Sequence, residues 1–326
     1  MEILAMDIGK TKTFAVLVDE NGNILAEAVS GPSGAWLEER VILKNISEAI
    51  GGCLSKSGLG LDELDLVSIS WSDLDTKEDW QKAWKIAEKI GLRKEKTIVE
   101  HDAVAAYYAV TWGEPGVAVV AGTGSIAFGM NKQGERMRSG GWGWLMGDEG
   151  SAYWIGVKAL NAVSRSLDGR GGRTALTEKL KKYFSIEEEL EILKKVYKEL
   201  LGNPAEIARI AEIVDEAAEE EDEVSKKILS EAGEELAECI LAIAKRLKME
   251  KDDIVVGGVG SVFKSKRVNE TFNRILDMKL PNARIRGPFT GEMAILGPTV
   301  IALKRHGLSI TTDIVEKILG KIGARR

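Results

Sequence analysis

Three glycine-rich segments, each at the end of an apolar run, contain the residues best suited to chemistry. They read Asp7-Ile8-Gly9-Lys10-Thr11, Gly122-Thr123-Gly124-Ser125 and Gly257-Gly258-Val259-Gly260-Ser261. Backbone amides and small hydroxyls in such turns can surround phosphate groups without bulky side chains. Glycines end many strands, so one such segment indicates little, whereas three together favour a single polyanion clamped between domains.

Two charged groups in the first segment extend this interpretation. Asp7 directly follows its apolar run, and one carboxylate can hold a hydrated Mg²⁺ because this ion keeps most of its waters. Lys10 lies inside the turn and can add a charged contact to a phosphate. The chain contains no G-x-x-x-x-G-K-[ST] sequence, which excludes a P-loop.

The run GGWGWLMGDEGS, residues 140–151, is the other chemically suggestive stretch. A flat indole beside free amides and a carboxylate suits a sugar, which needs an apolar face for stacking and acceptors for its hydroxyls. The alternative is a structural loop with Trp142 and Trp144 in the core, and this run alone favours neither. Apolar residues at helical spacing follow the run, and Asp148 is expected to cap that helix.

Apolar runs and turn signals predict the elements that position these residues. The first part of the chain is predicted to form strands Ile3–Asp7, Thr13–Asp19, Asn23–Val29, Leu66–Ser70 and Thr97–His101, with helices Ala35–Lys56, Lys77–Ile90 and Ala103–Trp112. Three antiparallel strands followed by alternating helices and strands make one layered α/β domain.

The segment Glu114-Pro115-Gly116 is the expected domain boundary, because a similar pattern restarts after it. Further predicted elements are strands Val117–Ala121, Ile126–Asn131 and Ile254–Val256, helical structure over 174–248, a helix from near Pro298 and a helix over Asp313–Ile322. The predicted domains are residues 1–114 and 115–326. The faint repeat of the strand pattern suggests a duplicated architecture.

Composition limits the possible partners and compartment. The net charge is -6 and the pI near 5.4, so nucleic-acid binding is not expected. We expect no membrane span and no leader peptide. The two cysteines, Cys53 and Cys239, lie far apart and give no disulfide or metal framework, which fits a reducing, cytoplasmic location. Abundant Glu and Lys with two Gln weakly suggest a heat-adapted source.

These motifs resemble the actin-like ATPase and sugar kinase superfamily, in which two ribonuclease-H-like domains hold a nucleotide in a cleft. Within it, the chain resembles the N-acetylglucosamine kinase group of the BadF/BadG/BcrA/BcrD ATPase family. The resemblance is carried by residues 119–125, 140–154 and 259–265 and covers nearly the whole chain. It implies an α/β fold of two ribonuclease-H-like domains with a nucleotide and sugar cleft between them, a helical insertion in the second, and a last helix that packs back on the first.

The resemblance also implies roles for particular residues. At the nucleotide phosphates and adenosine it implies Gly9, Lys10, Thr11, Gly122, Thr123, Gly124, Ser125, Gly257, Gly258 and Ser261. At the sugar it implies Trp36, Ser72, Asp102, Gly141, Trp142 and Asp148. It makes Asp102 the catalytic base, since a carboxylate within hydrogen-bond reach can take the proton of a poorly nucleophilic hydroxyl. Without the resemblance, Asp102 would be interpreted as a helix cap.

The sequence departs from the family pattern at three places. Ile8 and Lys10 replace glycines of the first turn, which leaves nucleotide preference open. The loop before Trp36 lacks the usual asparagine, which leaves an acetamido preference open. His101 precedes the base where Thr or Asn is commoner, and we interpret it as a packing or hydrogen-bonding residue.

The function implied is transfer of the γ-phosphate of ATP, with Mg²⁺, to the 6-hydroxyl of N-acetylglucosamine or glucosamine by a homodimeric, cytoplasmic enzyme. A broad hexokinase is one alternative. Another is an ATPase activator of a 2-hydroxyacyl-CoA dehydratase or benzoyl-CoA reductase, which would hold an iron–sulfur cluster through cysteines, and a third is a sugar sensor. The basic loop Asp168–Arg173 is a linker or a lid.

Overall fold

The computed structural model describes residues 1–323, which divide into two compact units. The first comprises Met1–Gly113 with residues 289–323, and the second comprises Glu114–Pro288. Each unit is built on a five-stranded mixed sheet. The α/β class predicted from the sequence is therefore confirmed.

The strands follow the apolar runs closely. They are β1 (Ile3–Ile8), β2 (Thr13–Val18), β3 (Ile24–Ser30), β4 (Leu66–Trp71), β5 (Thr97–His101), β6 (Gly116–Ala121), β7 (Ser125–Met130), β8 (Arg136–Gly140), β9 (Val255–Val259) and β10 (Arg284–Ile285). The helices are α1 (Glu39–Ser57), α2 (Lys77–Ile90), α3 (Asp102–Thr111), α4 (Ala152–Leu167), α5 (Leu176–Phe184), α6 (Glu191–Lys194), α7 (Pro204–Ala208), α8 (Ile210–Glu219), α9 (Glu223–Arg246), α10 (Lys266–Lys279), α11 (Leu296–Arg305) and α12 (Thr312–Gly323). A π-helical turn, Lys195–Leu200, continues α6.

The first sheet has the strand order β3-β2-β1-β4-β5. β1 pairs antiparallel with β2 and parallel with β4, and β4 pairs parallel with β5. Helix α1 contacts β2 and β3, whereas α11 contacts β1, β4 and α3. The carboxyl ends of β1, β4 and β5 therefore meet at one edge of the sheet, where ligands of parallel α/β sheets commonly bind.

The second sheet has the order β10-β9-β6-β7-β8, with β6 antiparallel to β7 and parallel to β9. Helices α5 to α9 occupy the helical region predicted for 174–248. The predicted apolar stripe of α9 is buried, at Leu229, Ala232, Leu236, Ile240 and Ile243. In the core of this unit, α9 packs against β6, β7 and β8, and α4, α8 and α10 pack against α9.

Several local predictions are corrected by the structure. The apolar pattern does not indicate β8, because this strand exposes polar residues and pairs only with β7. Helix α1 begins at Glu39 rather than at Ala35. Asp148 does not cap α4, because its φ of +60° is left-handed rather than extended. Ser151 is the cap, and its hydroxyl accepts a hydrogen bond of 3.2 Å from the backbone N–H of Trp154.

Among residues 1–323, no helix has both the length and the apolar character that crossing a bilayer requires.

Candidate functional site

In the first unit, three predicted site residues lie at the same edge of the sheet. Ile8 is in register with Trp71 of β4, which is in register with His101 of β5. Asp7 is the penultimate residue of β1, Ser72 directly follows β4, and Asp102 begins α3 after β5. The fold therefore brings these three side chains to one edge, as the order of strands requires.

The carboxyl group of Asp7 lies in an environment that disfavours its charge. Burial is the main cause and the nearby carboxylate of Asp102 adds to it, while a hydrogen bond from Ser70 and the charge of Lys12 oppose the shift. The pKa of Asp7 is raised to about 6. Two carboxyl groups whose charges repel each other favour a bound cation, so the donor chemistry here fits a hydrated Mg²⁺.

Asp102 is held by its neighbour in the sequence. Nδ1 of His101 lies 2.8 Å from Oδ1 of Asp102, and Nε2 lies 3.7 Å from Oδ1 of Asp75. Burial of the imidazole lowers its pKa, but the carboxylates of Asp102 and Asp75 outweigh burial and raise it to about 10. His101, Asp102 and Asp75 thus form a carboxylate–imidazolium–carboxylate cluster, called the His101 cluster below.

The first turn is closed by a backbone hydrogen bond of 2.9 Å from Gly9 N–H to the carbonyl of Lys12. The structure places Nζ of Lys10, the predicted phosphate contact, 2.9 Å from Oδ1 of Asp73. Thr11 is exposed at the tip of this turn. A phosphate bound at this turn would therefore compete with Asp73 for the Lys10 ammonium.

The loop that carries Trp36 is anchored by a buried neighbour. The hydroxyl of Ser33 accepts a hydrogen bond from the hydroxyl of Thr13, and its carbonyl accepts one from the indole of Trp71, both at 2.8 Å. Trp36 itself is 68% exposed. An apolar ring presented to solvent from a fixed loop is suited to contact a ligand.

In the second unit, the turn Gly122-Thr123-Gly124-Ser125 joins β6 to β7. The start of α4 is attached to this turn, because the backbone N–H groups of Ala152 and Tyr153 donate to the carbonyls of Gly122 and Thr123 at 2.9 and 3.2 Å. The Ser125 hydroxyl donates to the Glu149 carbonyl at 2.7 Å. These bonds fix the predicted phosphate turn against the end of the tryptophan run.

The tryptophan run is exposed, which excludes the alternative that its indoles lie in the core. Trp142 is 62% exposed and Trp144 is 40% exposed. The guanidinium carbon of Arg138 lies 5.0 Å from the centre of the Trp142 ring, within cation–π distance. Gly141 has a φ of +70°, and a Cβ there would overlap the side chain of Ile126. The run therefore presents Trp142 on a tightly packed, glycine-dependent backbone.

Asp148 lies directly beside the phosphate turn. Its side chain is 9% exposed, and a Cβ added to Gly124 would lie 2.7 Å from its Oδ2. The structure thus brings together Gly124 and Asp148, which the sequence analysis assigned to nucleotide and sugar.

The third glycine segment differs from the expected turn. Gly257 and Gly258 lie inside β9, and the turn comes after Val259. A Cβ on Gly258 would lie 2.3 Å from the ring of Phe263, and Gly260 combines a φ of +118° with close approach to the backbone of Ala121. Packing at the end of β9 therefore requires glycine at positions 258 and 260, independently of any ligand that the segment holds. Ser261 follows at the start of a 3₁₀ turn.

The sequence analysis places Asp73 only within a cleft-facing loop, residues 70–73, without a role, and it does not identify Asp75. Both lie in the loop after β4, next to the predicted Ser72. Their position after a parallel strand is a signal that could have found them, because the carboxyl ends of β1, β4 and β5 share one edge. Within residues 1–323, no cluster of three or more His, Cys, Asp or Glu side chains is arranged to bind a metal directly.

The fold and these glycine turns define the class: the chain has the fold of the actin-like ATPase and sugar kinase proteins. Residues 4–294 match the BadF/BadG/BcrA/BcrD ATPase family, and the chain belongs to it.

The chain is 31% identical over 285 residues to an N-acetylmuramic acid/N-acetylglucosamine kinase of Clostridium acetobutylicum, covering 87% of this chain and 92% of that protein. It is 29% identical over 296 residues to an N-acetyl-D-glucosamine kinase of Dictyostelium discoideum, covering 86% and 92%. A solved structure from Chromobacterium violaceum, titled as a candidate N-acetylglucosamine kinase, has a TM-score of 0.74 at 22% identity and covers 93% of this chain and 98% of that one.

Proposed function

We propose that the protein is an amino sugar kinase that transfers the γ-phosphoryl group of ATP to the 6-hydroxyl of N-acetylglucosamine or glucosamine. The observation that supports this most directly is the position of Asp102. It begins a helix at the edge of the first sheet, beside Asp7 and the first glycine turn. The two curated relatives described above are named as amino sugar kinases, and the chain covers 92% of each of them.

In this proposal Asp102 is the general base. A bond forms between the sugar oxygen and the γ-phosphorus, the bond from that phosphorus to the departing ADP breaks, and the hydroxyl proton moves to the Asp102 carboxylate. Such proton transfer contributes roughly 10²–10⁴-fold to rate. The remaining acceleration comes from alignment and charge neutralisation, since phosphoryl transfer needs little other covalent chemistry.

The glycine turns hold the nucleotide in this proposal. The segments Gly9–Thr11 and Gly122–Ser125 bind phosphate oxygens through backbone N–H groups other than those of Gly9 and Gly122, which donate to carbonyls within their own turns. Gly257, Gly258 and Ser261 lie at adenosine. Asp7 holds Mg²⁺ through water, and this ion supplies charge neutralisation at the phosphates.

The tryptophan run and the Trp36 loop bind the sugar in this proposal. The exposed indoles of Trp36 and Trp142 offer apolar faces, and Asp148 accepts hydrogen bonds from sugar hydroxyls. Because one relative is named for N-acetylmuramic acid as well as N-acetylglucosamine, the acid-bearing sugar belongs among the substrates to test.

The environment of the cysteines disfavours the alternative function of an activator that holds an iron–sulfur cluster. Cys53 is 0% exposed, and burial raises the pKa of its thiol to about 11, although the charge of Lys56 opposes this. An iron–sulfur cluster is held by cysteine thiolates, whereas burial raises the thiol pKa of Cys239 as well. The exposed Trp142 would also have no purpose in such an activator.

The test is a coupled phosphorylation assay with ATP and Mg²⁺. The sugars are N-acetylglucosamine, glucosamine, N-acetylmuramic acid, N-acetylmannosamine and glucose, and the site variant is Asp102→Asn. Asp313→Asn, on the exposed first turn of α12, is the matched control. We expect turnover of an amino sugar that falls by about 10²-fold or more in Asp102→Asn and is unchanged in the control.

Two outcomes would change the assignment. Equal turnover of glucose would make the protein a broad hexokinase. Steady ATP hydrolysis without sugar-dependent turnover would contradict the kinase proposal and favour the activator class.

We also propose a homodimer, and a surface of the second unit supports it. Four large apolar side chains lie at helical spacing along α6, the π-helical turn that continues it and the residues that flank the two: Leu190, Leu193, Tyr197 and Leu201, between 52% and 76% exposed. Contiguous exposed apolar side chains of this kind commonly mark a protein interface. These four residues are called the apolar stripe below.

A cytoplasmic location remains a prediction from the sequence.

A further inference from the structure

We infer that His101 is a positioning residue that holds the general base Asp102 through an ion pair shared with Asp75. This inference rests on the proposed kinase function, because it assigns His101 a role in that reaction. It also makes a claim about the His101 cluster itself, which can be tested without any substrate.

The short distance between His101 and Asp102 favours a proton on Nδ1 of His101. Oδ1 of Asp102 is buried and forms no hydrogen bond of ordinary geometry among the described residues, and Nδ1 of His101 lies 2.8 Å from it as an ion-pair contact. Buried carboxylate oxygens are rarely left without a donor. A bare Nδ1 at this distance would place two lone pairs against each other.

An alternative role is local and purely structural. Nδ1 of His101 also lies 3.0 Å from the backbone N–H of Ala103, so a neutral imidazole could cap α3. Nδ1 cannot accept that bond and donate to Asp102 at the same time. The contact with Asp102 at 2.8 Å distinguishes the two, because it favours a proton on Nδ1, while Asp75, 3.7 Å from Nε2, favours a proton on the other nitrogen, and together the two carboxylates stabilise the doubly protonated ring.

The charged groups around the cluster agree with this assignment. Asp102 and Asp75 are the carboxylates that act on the imidazole, from α3 and from the loop after β4. Asp7 of β1 repels Asp102, and Lys12, at the end of the first turn, acts in turn on Asp7. His101 is 17% exposed, so these charges are only partly screened by water.

This arrangement has a direct consequence for the base. The imidazolium occupies Oδ1 of Asp102 and fixes the rotation of the carboxylate, which leaves Oδ2 as the oxygen for the sugar hydroxyl. A base fixed in advance loses less freedom when the substrate arrives, so the gain is in kcat rather than in sugar affinity.

The sharpest test uses His101→Asn. Asparagine can cap a helix as well as histidine can, but it carries no charge. We expect kcat to fall about tenfold, part of the roughly 10²–10⁴-fold that a general base supplies, with the sugar KM within about twofold of wild type. In Asp75→Asn, we expect wild-type kcat near neutral pH and an earlier loss of kcat as pH rises, because His101 then loses its proton at lower pH.

A spectroscopic measurement tests the cluster without activity. The chain contains two histidines, so two imidazole signals are expected by NMR, and His306→Gln, an exposed position, assigns them. We expect the His101 signal to remain that of the protonated ring to beyond pH 9, and to titrate at lower pH in Asp75→Asn and in Asp102→Asn.

The outcomes separate the two proposals. Wild-type kcat in His101→Asn, or a His101 signal that titrates near pH 6.5 and ignores Asp75→Asn, would overturn the positioning role and leave a helix cap. Absence of sugar phosphorylation by the wild-type protein would contradict the kinase function instead, while the NMR titration would still confirm or reject the ion pair.

Discussion

Asp148 and Gly124 show how narrowly single residues are constrained in the second unit. A Cβ on Gly124 would lie 2.7 Å from the Asp148 carboxylate, whereas a Cβ on Gly122 would meet nothing within 4 Å. We expect Gly124→Ala to displace this carboxylate and to raise the sugar KM about tenfold, the equivalent of roughly one lost hydrogen bond to a charged group. Steady-state kinetics with varied sugar at saturating ATP measures this.

Gly122→Ala is the matched control for that prediction. Both glycines lie in the predicted phosphate turn, so any effect on ATP binding should be shared by the two variants. A sugar KM that changes equally in both would contradict the assignment of Asp148 to the sugar.

The His101 cluster also predicts a pH dependence of stability. Asp102 and Asp75 raise the pKa of His101 from 6.5 to about 10 in spite of burial. A raised pKa stabilises the folded state fully below the unfolded value, and this contribution is lost as pH rises from about 6.5 through 10. We expect the stability difference between wild type and His101→Asn to shrink over that interval.

Urea unfolding of both proteins at steps from pH 6 to pH 10 measures this difference. Other groups titrate in the same range, and comparison of the two proteins cancels their contributions. A difference that is constant with pH would contradict the prediction.

For single residues, the sequence predicts the place in the fold of those that directly follow a predicted strand. Asp102 is predictable because it directly follows a strand-like run. The position of Asp75 after a strand could have placed it at the same edge, but its contact with His101 is not predictable, because that contact depends on the parallel pairing of β4 with β5. No local sequence pattern predicts that Trp142 is exposed, since an indole in a glycine-rich loop can be either buried or exposed to solvent.

At the scale of the element, helix α1 contains two adjacent glycines with opposite surroundings. A Cβ on Gly51 would meet nothing within 4 Å, whereas one on Gly52 would lie 2.7 Å from Cβ of Ala28 on β3. We expect Gly51→Ala to stabilise the protein by about 0.5–1 kcal/mol through helix propensity. Gly52→Ala should destabilise it by about 1–3 kcal/mol through overpacking against the sheet.

Chemical denaturation of the two variants and the wild type checks this pair. The two substitutions are identical and adjacent, so helix propensity affects both alike and the packing contact makes the difference. Equal stability of Gly51→Ala and Gly52→Ala would contradict the close packing of α1 on β3.

Element prediction succeeded where burial imposes a period and failed where it does not. Helix Lys77–Ile90 and strand Thr97–His101 have the predicted bounds, because turn or capping residues flank a clear apolar pattern. Strand β8 has no such pattern, since an edge strand with polar residues looks like a loop. The start of α4 was misplaced because Asp148 and Ser151 are both good caps, and only backbone conformation distinguishes them.

At the scale of the whole molecule, the order of strands and helices contains most of the information on the fold class. Apolar runs separated by glycine turns predicted one layered α/β domain and suggested its duplication, and the family resemblance implied the two-domain fold. The inclusion of residues 289–323 in the first unit is a long-range feature without a local pattern. Gly297 is the residue that reflects this packing. A Cβ there would lie 2.3 Å from the Ala105 carbonyl oxygen, so α11 and α3 approach closely.

The apolar stripe leads to a prediction about assembly. Acidic residues lie at its start, at Glu187, Glu188, Glu189 and Glu191, and basic residues lie in its second half, at Lys194, Lys195 and Lys198, where Glu199 pairs with Lys195. In an antiparallel pairing of two copies about a twofold axis, the acidic end of one stripe faces the basic end of the other. The charge pattern therefore favours a second copy of this chain as the occupant of the stripe.

We expect the wild-type protein to sediment at twice the chain mass of 35.5 kDa, and the double variant Leu193→Glu with Tyr197→Glu to sediment as a monomer. Two carboxylates in the middle of the stripe would be buried without partners in the dimer, which strongly disfavours association. Met278→Glu replaces an apolar side chain that is 61% exposed on α10, so it adds a similar charge away from the stripe and should remain dimeric. Since the stripe lies outside every proposed ligand contact, the monomeric variant should still bind nucleotide. A wild-type monomer, or a double variant that remains dimeric, would show that the stripe is not the dimer interface.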